Sequence, residues 1–460
     1  MVEFVQQLIN IVGENAVLTG DQVSSRNTSY WDPSPMRAKA LVRPKSTAEV
    51  SAILKLCHEN VQTVVTHGGL TGTVEGAKAT EQDIVLSLER MNQIEHIDPL
   101  SRVATVQAGC VLQTFQEAVE QHGLLFPLDL GARGSCTVGG NVSTNAGGIN
   151  VIRYGVMRDL VLGLEVVLAD GTVLSSMNKM IKNNAGYDLK QLFIGSEGTL
   201  GVVTRINVKL KELPVSANSA LVAMDSFEQV ADLLKYLDKS FGGHLTSYEV
   251  MWGNYFRCVT EPGWHEAPLS RDYHFYVVLE AEGVSPEHDN IEFARIMEEA
   301  FEKQLMVDAV IPKSKSERDR VWAIREDFEA MLQHNPKFVY DVSLPIKDMD
   351  QYVKGLEVAF AQRWPEHYFY ALGHIGDGNL HFFVSPQNQN DLDLHHQVNQ
   401  IVYQPLAALG GSVSAEHGIG LEKRAYLDVA RNTTEIELMK TIKRTLDPKN
   451  LLNPGKIFTV

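Results

Sequence analysis

GARGSCTVGGNVSTNAGG, residues 131–148, is dense in Gly, Ser, Thr and Asn and almost empty of large apolar side chains. Strand-like apolar sequence hems it in on both sides, so it does not read as a simple linker. Small residues at this density let the backbone approach a neighbour closely, and successive main-chain N–H groups in such turns form concavities that hold anions. A phosphate-bearing cofactor and a set of plain turns both fit this composition.

Two further small-residue turns lie on either side. HGGLTG, residues 67–72, follows the strand-like run Gln62, Thr63, Val64, Val65, Thr66. GSEGTLG, residues 195–201, falls between Leu192-Phe193-Ile194 and Val202-Val203-Thr204. None of the three is the GxGxxG dinucleotide fingerprint or a phosphate loop ending in GKS/T. Around them strands and helices alternate. Ser46 and Glu49 form a capping box ahead of Val50, Ile53, Leu54 and Cys57 at helical spacing. Strands are expected near 84–88 and 103–107, and a helix over 111–122. Residues 161–174 read as two strands about an Asp170-Gly171 turn. The alternation predicts an α/β domain over residues 44–214, with 1–43 as an N-terminal helix and linker.

Past the break at Leu213-Pro214 the pattern changes. Helices are expected over 227–238, 286–305, 318–332 and 349–363, with strands over 273–280 and 340–344. This α+β unit, residues 215–425, contains YALGHIGDGNLHFFV, residues 370–384. Gly376-Asp377-Gly378-Asn379 is a turn signal between apolar flanks, so a β-hairpin is predicted. Symmetric closure would oppose Ile375 to Leu380 and His374 to His381, with Cβ atoms roughly 5 Å apart. Two imidazoles so placed can share one ion, and Glu416 in SAEHGIG would complete a two-His, one-carboxylate set with an open position. The alternative is a hairpin with two half-exposed histidines. A last helix over 435–446 and the tail NPGKIF form residues 426–460.

A chain of 460 residues needs more than one core. Its net charge of −16 argues against nucleic acid as a partner. No apolar run reaches the roughly 18 residues of a membrane span. The first residues, with Glu3 and Glu14 and no basic run, do not read as a secretory signal. A cytoplasmic protein is expected, with peripheral attachment at the inner membrane face left open. Cys57, Cys110, Cys136 and Cys258 are widely spaced, which predicts reduced thiols and no iron–sulfur cluster.

Taken together these motifs resemble one family. HGGLTG, GSCTVGGNVSTNAGG, YGVMRDLVLGLEVVLADG and GYDLKQLFIGSEGTLGVVT look like the FAD domain of the vanillyl-alcohol-oxidase-type flavoproteins. HIGDGNLH, SAEHGIG and DPKNLLNPGKIF resemble its D-2-hydroxyacid dehydrogenase branch, which acts on D-lactate, glycolate or D-2-hydroxyglutarate. The resemblance spans about residues 40–458. It implies an α+β fold: an FAD-binding domain of two α/β subdomains, and an α+β substrate domain with an antiparallel sheet. By position it implies Gly68, Gly69, Thr71 and Gly72 at the pyrophosphate. Ser135, Thr137, Gly139, Gly140 and Ala146 would belong to the same surface, with Gly198 and Val203 near the adenine and Asn453 in the returning tail. Leu70 departs from the pattern, which commonly has a third Gly or Asn there. His67 is not at the position of flavin-tethering histidines, so noncovalent FAD is expected.

Oxidation of a 2-hydroxy acid needs a hydride acceptor, a base for the hydroxyl proton and a group to hold the carboxylate. The resemblance assigns the base to His417 and the carboxylate to Arg325, whose planar guanidinium suits bidentate contact. A divalent ion on His374, His381 and Glu416 would hold substrate oxygens; zinc suits the ligands, and Mn or Fe would too. A metal hydrolase using the same three ligands is the distant alternative, but it leaves the small-residue loops without a purpose. The electron acceptor is left open among a quinone, a cytochrome and an electron-transfer flavoprotein. In relatives that take D-2-hydroxyglutarate, a threonine, a lysine and an asparagine hold the distal carboxylate. Glu329, Val339 and Phe383 occupy those positions here. D-Lactate or an apolar homologue is therefore the expected substrate, with Lys337 as a nearby cation that could still serve a second carboxylate.

Overall fold

The structure, a computed structural model, describes residues 2–387 and 393–460. Two compact units divide the chain. The first comprises residues 1–147, 155–213 and 416–460, the second residues 148–154 and 214–415.

The first unit holds two sheets. One runs in the order Val17–Leu18, Ala40–Val42, Ile84–Ser87, Val64–His67, with the last three strands parallel. Their short, continuous apolar runs suit a sheet covered on both faces. The second sheet is antiparallel, in the order Ile94–Asp98, Val103–Gln107, Val202–Lys209, Val161–Val167, Val173–Ser176. Helix Thr47–Glu59 starts where the capping signal placed it: the Ser46 side chain accepts from Glu49 N, and Val50, Ile53, Leu54 and Cys57 are buried.

Residues 1–43 are not a linker. Ala40, Leu41 and Val42 are fully buried in the middle of the first sheet, and helix Val2–Val12 packs against helix Thr47–Glu59. The small-residue run is not all turn either. Its centre is a helix, Val138–Thr144, opened by Thr137, whose hydroxyl accepts from Gly140 N. At Gly139 a Cβ would come within 2.4 Å of the Ala108 Cβ, so the glycine lets this helix lie directly on the end of a strand. After helix Thr433–Leu446 the chain returns to the first sheet. Val64 N donates to Leu451 O, and Asn453 N donates to Val64 O, both at 2.8 Å.

The second unit is a seven-stranded antiparallel sheet. Its order is Asp308–Val310, Ser216–Met224, Phe275–Gly283, Leu245–Trp252, His367–His374, Asn379–Pro386, Phe338–Ser343. Helices Phe227–Phe241, Pro286–Glu302 and Ile346–Arg363 pack on the sheet, with Leu394–Leu409 against the last of them. Helices Gly253–Val259, Lys315–Glu326 and Glu329–Leu332 belong to a separate apolar cluster with Met251, Val278, Leu372 and Phe383. The single helix expected over 318–332 is two, broken at Asp327 and Phe328. Tyr255, buried beneath the break, donates its hydroxyl to the carbonyls of Arg325 (3.0 Å) and Asp327 (3.2 Å).

The histidine hairpin forms, but two residues out of the expected register. His381 opposes Leu372, and Tyr370 opposes Phe383. The turn is a short 3₁₀ segment, Ile375–Asp377, closed by Gly378 at φ +87°. A two-residue shift keeps every side chain on its face. His374 and His381 therefore become diagonal neighbours instead of a direct pair, with ring centroids 5.2 Å apart and planes at 88°.

Candidate active site

In the first unit, the loop at 67–72 packs on the start of the small-residue helix. A Cβ at Gly68 would lie 2.6 Å from the Thr137 Oγ1, and one at Gly69 would lie 2.1 Å from the Ser135 carbonyl. Gly140 N bonds Thr137 Oγ1, so Gly68, Gly69, Ser135, Thr137 and Gly140 are brought together. Gly72 has open space beside it. The Thr71 carbonyl accepts from Trp31 Nε1 at 3.3 Å. Leu70 adopts φ +57°, a left-handed conformation that costs an ordinary residue roughly 1–2 kcal/mol. Its side chain packs on the cluster of Val23, Met36, Leu41 and Val85, which offsets that strain and explains how a leucine serves where glycine is usual.

Other expected cofactor residues have structural tasks within the unit. Ala146 is buried, its N–H on the Asn141 carbonyl. Val203 is buried opposite Val166 in the sheet. Asn453, at φ +43°, accepts from Thr66 N (2.9 Å) and donates to the Glu197 carbonyl (2.7 Å). It ties the strand before the first loop to the turn carrying Gly198, whose φ is +71°. His67 faces inward: its Nε2 donates to the Ala77 carbonyl at 2.7 Å, and burial pulls its pKa down to about 4.

The second unit presents polar side chains on the same sheet face as its apolar cluster. Side chains alternate along a strand, so residues two positions from a cluster member share its face. Glu249 lies two before Met251, His374 two after Leu372, His381 two before Phe383. Glu249 opposes His374, and Asp341 opposes His381. Glu249 is 1 % exposed and central to this row. Its carboxylate accepts from His374 Nδ1 at 2.7 Å, which fixes the proton there and makes Nε2 the lone-pair nitrogen. Its other oxygen lies 2.8 Å from Arg325 Nη2, an ion pair too poorly aligned for a full hydrogen bond. Burial raises the Glu249 carboxyl, but His374 and Arg325 outweigh it and hold the group below the usual carboxylate range.

Arg325 is 4 % exposed, and its Nε has no hydrogen-bond partner among the described residues. A buried, partly unsatisfied guanidinium is costly unless another group meets it, and a substrate carboxylate is the natural complement. Asp341 is fully buried; it accepts from Asn379 Nδ2 (2.7 Å), Ser414 Oγ (3.2 Å) and Ala415 N (3.1 Å). Asp341 thereby anchors the segment that runs directly into Glu416 and His417.

Sequence reasoning missed Glu249 and Asp341. Asp341 could have been found, since it follows the tyrosine in VYDVS and any pairing of that strand with the hairpin sets it near His381. Glu249 had no such signal: it lies in SYEVMW, within a strand that is buried at every position and so shows no alternation.

Comparison with known proteins accords with this anatomy. Residues 38–176 match the family described as FAD binding domain, and residues 213–457 match FAD linked oxidases, C-terminal domain. D-2-hydroxyglutarate dehydrogenase, mitochondrial, of Bos taurus is 39% identical over 452 residues, covering 98% of this chain and 82% of that protein. D-2-hydroxyglutarate dehydrogenase of Xanthomonas citri pv. viticola is 38% identical over 438 residues, covering 94% and 91%. Among solved structures, alkyldihydroxyacetonephosphate synthase superposes with a TM-score of 0.78 at 16% identity, covering 99% of this chain and 84% of that one. p-Cresol methylhydroxylase also gives 0.78 at 16% identity, covering 100% and 97%. The fold is that of the vanillyl-alcohol-oxidase-type flavoproteins. Within it, the chain belongs to the FAD-dependent D-2-hydroxyacid dehydrogenases of the FAD-linked oxidase family. That membership displaces the hydrolase alternative. No described helix is long and apolar enough to cross a membrane.

Proposed function

We propose that this enzyme oxidises D-2-hydroxyglutarate to 2-oxoglutarate. In this reading Arg325 receives the C1 carboxylate, and His417 accepts the hydroxyl proton. His374 and His381, with Glu416, hold a divalent ion, with zinc favoured by the donor set. The observation that carries the reading is the buried row Glu249, His374, His381 and Asp341 on one sheet face, with the Arg325 guanidinium against it. Charged groups are not buried in a sheet core without partners, and this set suits an anionic, oxygen-rich substrate. Glu249 presents the Nε2 lone pair of His374, as a metal ligand requires. When bound, FAD supplies the hydride acceptor and the ion the Lewis acidity that eases loss of the hydroxyl proton. FAD is held noncovalently, on the loop and helix that join Gly68, Gly69, Ser135, Thr137 and Gly140. Electrons then pass to a quinone, a cytochrome or an electron-transfer flavoprotein.

The five-carbon diacid is favoured by the similarity to D-2-hydroxyglutarate dehydrogenases over nearly the whole chain. One observation favours the shorter substrate: Phe383 is buried in the apolar cluster and directly opposed by Val339, so neither offers a polar contact to a distal carboxylate. Lys337, exposed and two residues before Val339, is the cation within reach of that edge. Flavin bleaching measured with D-2-hydroxyglutarate, D-lactate and D-2-hydroxybutyrate separates the two readings. A kcat/KM at least about tenfold higher for the diacid, some 1.4 kcal/mol, is expected; a preference for D-lactate reverses the assignment.

A further inference from the structure

The turn that follows His417 is fastened from below by a single carboxylate. Glu197, in the turn between Phe193 and Val202, accepts from Ile419 N through Oε1 and from Gly420 N through Oε2, both at 2.7 Å. Two successive main-chain N–H groups on the two oxygens of one carboxylate are charge-assisted hydrogen bonds, shorter and stronger than neutral ones. The turn is shaped for this contact. Gly418 has φ +84° and Gly420 φ +52°. A Cβ at Gly418 would lie 2.8 Å from Glu197 Oε1, and one at Gly420 would lie 1.9 Å from the Val74 carbonyl. Glu197 is itself held at both main-chain ends: its N–H bonds the Ser143 carbonyl (2.8 Å), and its carbonyl accepts from Asn453 Nδ2. Its own φ is +52°, a strained value for a glutamate. The turn thus links the helix of the cofactor surface, through Ser143, to the residue after the base.

We propose that Glu197 is a positioning residue for His417. By fixing the two N–H groups that follow Gly418, it sets where the imidazole stands relative to the cofactor surface, and it acts on proton abstraction only through that imidazole. The inference rests on His417 being the base, as proposed above.

The test is a double-mutant cycle on FAD-loaded enzyme, read as the rate of flavin reduction at saturating substrate. Glu197→Gln keeps the side-chain shape but turns an NH₂ toward one of the two N–H donors. It is expected to slow reduction about ten- to a hundredfold, with KM changed less than about threefold and FAD content equal to wild type. In a His417→Ala background the same substitution is expected to cost less than about twofold. Losses that multiply in the double variant, with His417→Ala itself impaired, overturn the Glu197 proposal alone. A His417→Ala enzyme that runs at wild-type speed overturns the base assignment, and this inference with it. Gly418→Ala pushes on the contact from the other side and is expected to reproduce the Glu197→Gln rate loss. If both variants lose FAD or fail to fold, Glu197 maintains the cofactor surface and the positioning role is overturned.

Discussion

The residues gathered around the loop at 67–72 are small, and what they offer a ligand is mainly main chain. Gly68, Gly69 and Gly140 are tightly packed on Thr137 and Ser135. The sheet of the second unit does the reverse. There the backbone is fully engaged in the ladder, and long charged side chains, Glu249, His374, His381 and Arg325, carry the chemistry. A main-chain surface is specified by what must be absent, a Cβ; a side-chain site is specified by partners far apart in sequence. The two should fail differently.

The largest expected effect is in the first unit, where a buried histidine closes the strand that leads into the loop. His67 is held neutral with a pKa of about 4, against 6.5 in the unfolded chain. A lowered histidine pKa means the unfolded state takes the proton first. Stability is intact above about pH 6.5 and is lost as the pH falls toward 4, by about 3 kcal/mol in all. Denaturant unfolding of wild type and His67→Gln between pH 7.5 and 4.5 reads this, and the difference between the two should shrink by that amount. Equal pH slopes would mean that His67 is not buried as described.

Next comes the second unit. Glu249→Gln removes the charge between His374 and Arg325 while keeping the side-chain shape. Zinc affinity, measured by competition with a chromophoric chelator, should fall about ten- to a hundredfold. FAD content should not change. Loss of flavin with zinc binding intact would dissolve the contrast between the units. The smallest effect is on selectivity. Phe383→Asn should shift the ratio of kcat/KM for D-2-hydroxyglutarate over D-lactate upward by up to about tenfold, since a distal carboxylate gains a hydrogen-bond donor. An unchanged ratio would place the substrate tail elsewhere.

The same contrast decides what was legible beforehand. Glycine clusters, a capping box at Ser46 and Glu49, and a turn at 376–379 are local signals, and each located its element. The register of the hairpin was not local. It depends on the 3₁₀ turn and on the neighbouring strand Phe338–Ser343, and the shift of two residues went unseen because it leaves the face of His374 and His381 unchanged. Residues 40–42 were taken for a linker because three apolar residues make no period, although they form a fully buried central strand. Glu249 was invisible for a like reason: burial on both faces erases the alternation that would have marked it as aimed at anything.

The return of residues 451–453 to Val64 has a consequence for how the enzyme is made. Those residues leave the ribosome after the whole of the inserted unit, yet they extend the strand that leads into the first cofactor loop, and Asn453 braces the turn that carries Glu197. Lys443, buried on Asp447 and the carbonyls of Thr199 and Leu452, fastens the same closure. A nascent chain therefore holds a finished substrate sheet beside an unfinished flavin surface, and only the completed polypeptide presents that surface whole.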